Sequence, residues 1–335
     1  MKTIYFYNEE WEQDYVKSRL PGQDIIFKEG YVGQYSDFRD EETEVLSIFV
    51  TSHLGKEEMD RFPKLKFVAT RSTGFDHIDL VEAGRRGIKV SNVPSYGENT
   101  VAEQAFALLL CISRKIYDSY KQIEQDGKFS PEGLKGFDLK GKTIGIVGLG
   151  RIGVHTARIA KGFEMDILAY DKFPKEEVIK DYGVKYVTLD ELLAQSDIIS
   201  MHAPYMPETH HMISLANVGK IKKGAYLINT ARGGLVETAA LIRGLQDGNL
   251  AGAGLDVLEE ENFMIDELSL LNNPHPDAES LKTILENHYL IDHPRVIITP
   301  HNAFNTQEAI ERIIVTTVEN MKGFVAGAIV NQVRG

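Results

Sequence analysis

The feature that most constrains the fold of this chain is a run of spaced glycines, Gly148-Leu149-Gly150-Arg151-Ile152-Gly153, between an apolar strand-like segment, TIGIV, and a helical pattern from Ile152 to Lys161. A GxGxxG run alone is weak evidence, but between a strand and a helix it describes one kind of structure. Gly148 permits a tight turn, Gly150 lets the backbone approach a pyrophosphate, and Gly153 lets helix and strand pack closely. The helix that follows offers unpaired N–H groups and a positive dipole end to the phosphates. The next apolar strand, MDILAY, ends at Asp171, 23 residues beyond Gly148. A carboxylate there accepts hydrogen bonds from ribose hydroxyls and repels a 2′-phosphate, so NAD is expected over NADP. Lys172, next in the chain, partly offsets that repulsion.

The same rhythm runs through the chain. Candidate strands are Thr3–Tyr7, Asp24–Phe27, Leu46–Val50, Phe67–Thr70 and Lys89–Ser91, then Thr143–Val147, Asp166–Tyr170, Lys185–Val187, Asp197–His202, Ala225–Asn229, Gly252–Asp256 and Val296–Thr299. Helical stretches such as Asp190–Ala194 and Glu237–Asp247 lie between them. Alternation of this kind predicts βαβ units and parallel sheets covered on both faces. A chain of 335 residues suggests two domains at about 150 residues each. A long helix is expected from Thr100 to about Gln125, opened by a capping box of Thr100 and Glu103. Its apolar positions Ala105, Leu108, Leu109 and Ile112 form a stripe broad enough to pack on something large. The stretch from Asn262 to Pro294 shows no clear strand. A loop of that length is functional or holds short helices of its own.

Composition removes several function classes. Lys+Arg 37 against Asp+Glu 49 leaves a net charge of −12, which repels nucleic-acid phosphates and anionic lipid. The longest apolar run, Ala105–Ile112, is far short of the roughly 20 residues a membrane span needs. The opening MKTIYFYNEE reads as a strand and then acidic residues, not a secretory signal, and a cytoplasmic protein is expected. A single cysteine, Cys111, excludes an internal disulfide and a cysteine-rich metal site, and no metal is expected.

Three further places lie just past predicted strands, where ligands of open α/β sheets bind. In Asn229-Thr230-Ala231-Arg232-Gly233-Gly234, the planar fork of Arg232 can hold a carboxylate through two hydrogen bonds. In Thr299-Pro300-His301-Asn302-Ala303-Phe304, His301 can donate a proton near neutral pH. In Gly254-Leu255-Asp256-Val257-Leu258-Glu259-Glu260-Glu261, a carboxylate beside an imidazole would favour the imidazolium and fix its tautomer. Glu259 and Glu260 read as a solvated acidic turn. Guanidinium, acid and imidazole in that order suit one reaction, hydride delivery to a carbonyl carbon with protonation of its oxygen.

At this point the chain resembles the D-isomer specific 2-hydroxyacid dehydrogenases, most closely the D-lactate dehydrogenase branch, over nearly its whole length. The likeness rests on VPSYGENTVAEQAFALLL, GKTIGIVGLGRIG, MHAP, NTARGGLVE, GLDVLEEE and TPHNAF, in the family's order and spacing. The resemblance implies two Rossmann-like or flavodoxin-like domains with an active-site cleft between them. Residues 1–98 plus 302–335 would bind substrate, and residues 99–301 would bind NAD. It implies Arg232 as the clamp on substrate carboxylate and carbonyl, His301 as general acid/base and Glu261 as its partner. Thr73, Gly74 and Tyr96 would contact the substrate carboxylate, and Phe304 would shape a small apolar pocket. Gly148, Gly150, Arg151, Ile152, Gly153 and Asp171 would bind the cofactor, with Val101, His202, Ala203, Pro204, Thr209, Thr230, Ala231, Asp256 and Ala303 around it. The resemblance also implies a homodimer, formed through the helix near residues 100–125.

The expected substrate is a pyruvate-like 2-oxo acid. Segment Val50–Gly55 lacks the aromatic expected of a close lactate dehydrogenase, so glyoxylate, hydroxypyruvate and bulkier 2-oxo acids stay open. A rival reading, an NAD-sensing binding protein without turnover, is opposed by the intact Arg, Glu and His set.

Overall fold

The computed structural model of the chain describes residues 1–261 and 278–333. It divides into two compact units, Met1–Gly97 with Asn305–Gly335, and Glu98–Phe304.

The chain begins with β1 (Lys2–Tyr7), α1 (Trp11–Arg19), β2 (Asp24–Glu29), β3 (Thr43–Ile48), α2 (Lys56–Asp60), β4 (Phe67–Thr70), α3 (Leu80–Arg85) and β5 (Lys89–Ser91). The second unit follows with α4 (Glu98–Ser113), α5 (Ile116–Asp126), β6 (Thr143–Val147), α6 (Arg151–Gly162), β7 (Asp166–Tyr170), α7 (Glu176–Tyr182), β8 (Lys185–Tyr186), α8 (Leu189–Gln195) and β9 (Ile198–Met201). It continues through β10 (Ala225–Asn229), α9 (Thr238–Asp247), β11 (Leu250–Leu255), α10 (Ala278–Ile291) and β12 (Val296–Ile298). The chain then returns to the first unit with α11 (Gln307–Val325) and β13 (Gln332–Val333).

The first sheet has the order β13-β5-β4-β3-β1-β2. All its pairings are parallel except that of the short β13 on β5. Its parallel part follows the doubly wound 2-1-3-4-5 order of flavodoxin-like sheets. Strand β4 is buried at every position, and the stacking of its Phe67 on Phe324 of α11 ties the C-terminal return to this sheet. Behind the sheet, the buried Arg71 guanidinium binds Glu12, the Tyr5 hydroxyl and the Phe6 carbonyl. A buried arginine is tolerable only when paired and hydrogen-bonded in this way.

The second sheet has the order β12-β11-β10-β9-β6-β7-β8, parallel throughout. Renumbered from β6, this is the 3-2-1-4-5-6 Rossmann order with one strand added, and the order reverses between β6 and β9. Every strand therefore presents its carboxyl end on one edge.

Two expectations for the helix after residue 98 need correction. The helix begins at Glu98, so Thr100 lies inside it, buried, and no capping box forms. Glu103 instead accepts a hydrogen bond from the Asn99 amide. The helix is also not continuous to Gln125. The Ser113 carbonyl accepts from Phe137 N, 2.9 Å away, instead of continuing the helical ladder, and Lys115 turns left-handed at φ 55° before α5 starts. The apolar stripe does pack on something large: Ala105, Leu108, Leu109 and Ile112 share a core with α6 and β10, and Leu108 and Ile112 lie against Gly254 of β11, so the chain's own second unit covers them. Within the stretch Asn262–Pro294, residues 278–291 form α10, and residues 262–277 lie outside the described residues.

Candidate active site

The glycine loop occupies the turn from β6 to α6, beside the point where the strand order reverses. Gly148 has φ +93°, and a Cβ on it would collide with the His202–Ala203 backbone. A Cβ on Gly153 would collide with the Gly148 carbonyl. Gly150, the N-cap of α6, faces open space and lacks a side-chain cap, so the helix N-terminus is presented outward. Arg151, first in the helix, has a guanidinium nitrogen 3.5 Å from the Glu98 carboxylate, and Ile152 is half-buried. Val101 is buried in α4.

At the end of β7, the Asp171 carboxylate accepts from Leu149 N at 2.6 Å and Phe173 N at 2.8 Å. It thereby fixes the glycine loop to the neighbouring strand end. Each carboxylate oxygen has a second lone pair for a ribose hydroxyl. Lys175 Nζ donates to the Leu149 carbonyl at 3.1 Å.

At the end of β9, the imidazole of His202 turns inward, with Nε2 3.0 Å from Thr156 Oγ1 and 2.8 Å from Ser200 Oγ. Burial pushes its pKa down to about 4, so it is neutral at physiological pH. Ala203 is buried. The Thr209 hydroxyl donates to the Pro204 carbonyl at 2.7 Å and accepts from Met206 N at 2.8 Å, which closes the loop after His202.

At the end of β10, Asn229 shapes the turn that carries Arg232. Its Oδ1 accepts from Ala231 N at 3.0 Å and its Nδ2 donates to the Arg232 carbonyl at 2.9 Å. The Asn–x–x pattern is an Asx-turn, in which the side chain substitutes for backbone. Arg232 Nη1 donates to the Ala231 carbonyl at 2.8 Å. The buried Thr230 hydroxyl has no hydrogen-bond partner among the described residues. It lacks the hydrogen bond that buried polar groups ordinarily make, and so can donate to a group bound beside this turn. The open Gly150 edge, the Asp171 carboxylate and the Thr230 hydroxyl together fit a dinucleotide.

The ends of β11 and β12 are joined through Asp256, which is 1% exposed. Its carboxylate accepts from Asn302 N at 2.9 Å, Ala303 N at 2.8 Å and the Thr299 hydroxyl. Burial raises its pKa above the ordinary aspartate value, against the opposing pull of these donors and of His301. The Asp256 carbonyl accepts from His301 N at 2.7 Å, and His301 sits at φ 50°. A left-handed non-glycine residue is uncommon, and here the surrounding bonds enforce it. The result aims His301 Nδ1 at Glu261 Oε1, 2.6 Å away, with both side chains about 30% exposed. Arg232, Glu261 and His301 thus leave three adjacent strand ends.

Thr73, Gly74 and Tyr96 lie in the first unit. There the Thr73 hydroxyl donates to the Val93 carbonyl at 2.7 Å, Ser72 Oγ donates to the Gly74 carbonyl at 2.6 Å, and the Tyr96 carbonyl accepts from Arg312. Phe304, half-buried, ends the second unit.

Residues 106–303 match the family described as D-isomer specific 2-hydroxyacid dehydrogenase, NAD binding domain. The chain belongs to that family. Among its relatives is a 2-hydroxyacid dehydrogenase homolog of Zymomonas mobilis, 38% identical over 91% of each chain. A glyoxylate reductase of Thermococcus litoralis is also 38% identical, over 86% of this chain and 82% of its own. A D-lactate dehydrogenase of Aquifex aeolicus, solved with NAD and lactic acid, superposes with TM-score 0.84 at 35% identity, covering 97% of this chain and 96% of that one. This dehydrogenase is an NAD-dependent oxidoreductase that acts between 2-oxo acids and D-2-hydroxy acids.

Sequence reasoning passed over one residue of the dehydrogenase. Glu259 is not solvated: it accepts from Thr238 N and Oγ1, both at 2.7 Å, and pairs with His211 Nε2 at 2.5 Å. Only Glu260, with φ 54°, stands exposed in the acidic run. The strand-end setting of GLDVLEEE marked the turn, but no local pattern marks a contact with residue 211 or 238.

The buried imidazole generates a pH prediction. Because its folded pKa lies below the unfolded value of 6.5, stability is intact above pH 6.5 and falls as pH drops from there towards 4, where the unfolded chain takes up a proton and the native chain does not. Over that window the loss is on the order of 3 kcal/mol. Urea unfolding across that window will show a steeper decline for the wild type than for His202→Gln. Equal slopes would mean that His202 titrates normally in the fold.

Proposed function

We propose that the physiological reaction is reduction of a small, pyruvate-sized 2-oxo acid to its D-2-hydroxy acid, with Arg232 binding the carboxylate and His301 giving the proton. The observation that carries this reading is the 2.6 Å Glu261–His301 contact beside the Arg232 turn on the adjacent strand end. The Glu261 carboxylate engages Nδ1, which leaves Nε2 as the ring nitrogen that exchanges a proton with substrate. Bound NADH supplies the hydride. His301 donates the proton to the carbonyl oxygen, and in the reverse direction takes it from the hydroxyl. Arg232 offers a planar pair of donors that fixes the carboxylate and turns the adjacent carbonyl towards His301.

We assign Thr73, Gly74 and Tyr96 to further contacts with the substrate carboxylate, and Phe304 to the substrate side chain. Gly148, Gly150, Arg151, Ile152 and Gly153 hold the pyrophosphate, and Asp171 holds the adenosine ribose. Val101, Ala203, Pro204, Thr209, Thr230, Ala231, Asp256 and Ala303 line the cofactor, and His202 supports it from beneath. The D-lactate dehydrogenase of Aquifex aeolicus, solved with lactic acid, supports the pyruvate-sized choice. Glyoxylate is the second candidate, because relatives at 38% identity are glyoxylate reductases.

A second copy of the chain is the partner we propose for α5. Among its residues Ile116, Tyr117, Tyr120 and Ile123 are each about half exposed or more, on one face of an otherwise polar helix. Apolar patches of this kind mark protein contacts.

NADH oxidation with pyruvate, glyoxylate, hydroxypyruvate and a branched 2-oxo acid, with chiral analysis of the product, tests the reading. Pyruvate is expected to give the highest kcat/KM and D-lactate. His301→Ala is expected to lose roughly 10²–10⁴-fold in kcat. Arg232→Lys is expected to raise KM and lower kcat, because a point charge cannot copy the fork. Near-native turnover of His301→Ala would remove His301 from the reaction. In light scattering the wild type is expected at the mass of a dimer and Tyr120→Glu at that of a monomer. An unchanged mass for this variant would place the contact elsewhere.

A further inference from the structure

We infer that His211 and Glu259 form a positioning pair that sets the turn bearing Arg232 against the turn bearing Glu261. The inference rests on the roles proposed above for Arg232, Glu261 and His301.

The two turns touch directly. A Cβ on Gly233 would collide with the Leu258 carbonyl and with Glu259 N, so the residue after Arg232 lies against the backbone that leads to Glu261. Contact of bare backbones gives close approach but no direction, because glycine has no side chain to interlock. Direction comes from Glu259. One of its oxygens takes both donors of Thr238, the first residue of α9, whose own N-cap, Glu237, makes no side-chain cap bond. A carboxylate at a helix N-terminus answers both the unpaired N–H groups and the dipole. Its other oxygen meets His211 Nε2 at 2.5 Å. The backbone N of His211 in turn donates to the Gly234 carbonyl at 2.9 Å. His211 therefore grips the arginine turn with its main chain and the glutamate turn with its ring.

The clamp is braced on both sides. His211 stands at φ 53° with its ring stacked on His210 at 3.6 Å, and the His210 Nδ1 lies 3.1 Å from the Tyr205 hydroxyl. From α10, the buried Asn287 donates to the Glu259 carbonyl at 2.7 Å. Two residues beyond this fixed point, Glu261 Oε2 accepts from Leu258 N at 3.2 Å while its Oε1 reaches His301. The turn that delivers Glu261 is thus anchored at its midpoint, and the anchor also bears on Arg232. Displacement of a reacting or orienting group by about 1 Å can cost as much as 10²-fold in rate.

The pair touches neither substrate nor cofactor in this account, so the test separates positioning from stability. kcat and KM for pyruvate, the Kd of NADH and the melting temperature are measured for the full-length wild type, Glu259→Ala, Glu259→Gln and His211→Asn. The amide in Glu259→Gln can still accept from Thr238 and reach His211. Asn tolerates a positive φ but is too short to reach Glu259, and it leaves the α9 cap in place. Glu259→Ala and His211→Asn are expected to lose roughly tenfold in kcat with a raised KM, while NADH binds as in the wild type. Glu259→Gln is expected to recover most of the activity. Should Glu259→Ala not fold, His211→Asn decides alone. Wild-type kcat and KM in His211→Asn, or in a folded Glu259→Ala whose only change is a lower melting temperature, would overturn the inference and leave Glu259 as a helix cap. A wild type that turns over no 2-oxo acid would instead overturn the proposed function.

Discussion

Parallel strands impose a one-sided geometry, and the candidate site depends on it. In the second sheet every pairing is parallel, so the loops that follow β6, β7, β9, β10, β11 and β12 all emerge at one edge. Residues far apart in sequence, Gly148, Asp171, Arg232, Asp256 and His301, become neighbours of that edge without any contact designed between most of them. What remains for individual side chains is fine placement. Asp256 does most of it for the imidazole, holding the turn after β12 with a buried carboxylate that accepts from Thr299, Asn302 and Ala303.

The acidic chain also has to admit anions. With a net charge of −12, long-range electrostatics oppose a 2-oxo acid and a dinucleotide alike. The local fields run the other way. The N-terminus of α6 is open at Gly150, and Arg232 and His301 stand on nearby strand ends. Several of the carboxylates close to them are engaged internally: Asp171 by backbone N–H groups, Asp256 by the turn after β12, Glu259 by Thr238 and His211. Engagement by donors keeps these carboxylates from acting as bare repelling charges.

Much of this was legible in the sequence because it is encoded locally. The strand, glycines and helix of residues 143–162 need no distant partner to be read, and Asp171 follows from the length of one βα unit. Arg232 and His301 were legible as polar residues directly behind apolar strands. The break between α4 and α5 was not, since it depends on Phe137 N capturing the Ser113 carbonyl from a segment with no strand or helix signal. The expected cap at Thr100 failed because the pattern of a Thr followed by Glu cannot show that the helix has already begun at Glu98. The apolar stripe of α4 could be read, but not whether its own sheet or another chain would cover it. Glu259 was misread for the same reason: a run of three glutamates looks alike in sequence whether it meets water or caps a helix about 20 residues earlier.

The central claim is spatial: a guanidinium and an imidazole from the strand ends on either side of β11 act on one small acid. A crystal structure with NADH and oxamate, a non-reducible mimic of pyruvate, tests it most directly. The account predicts both carboxylate oxygens of oxamate on the Arg232 guanidinium and its amide carbonyl oxygen within hydrogen-bond reach of His301 Nε2. Oxamate bound with its carboxylate on neither residue, or with His301 turned away from it, would contradict the account.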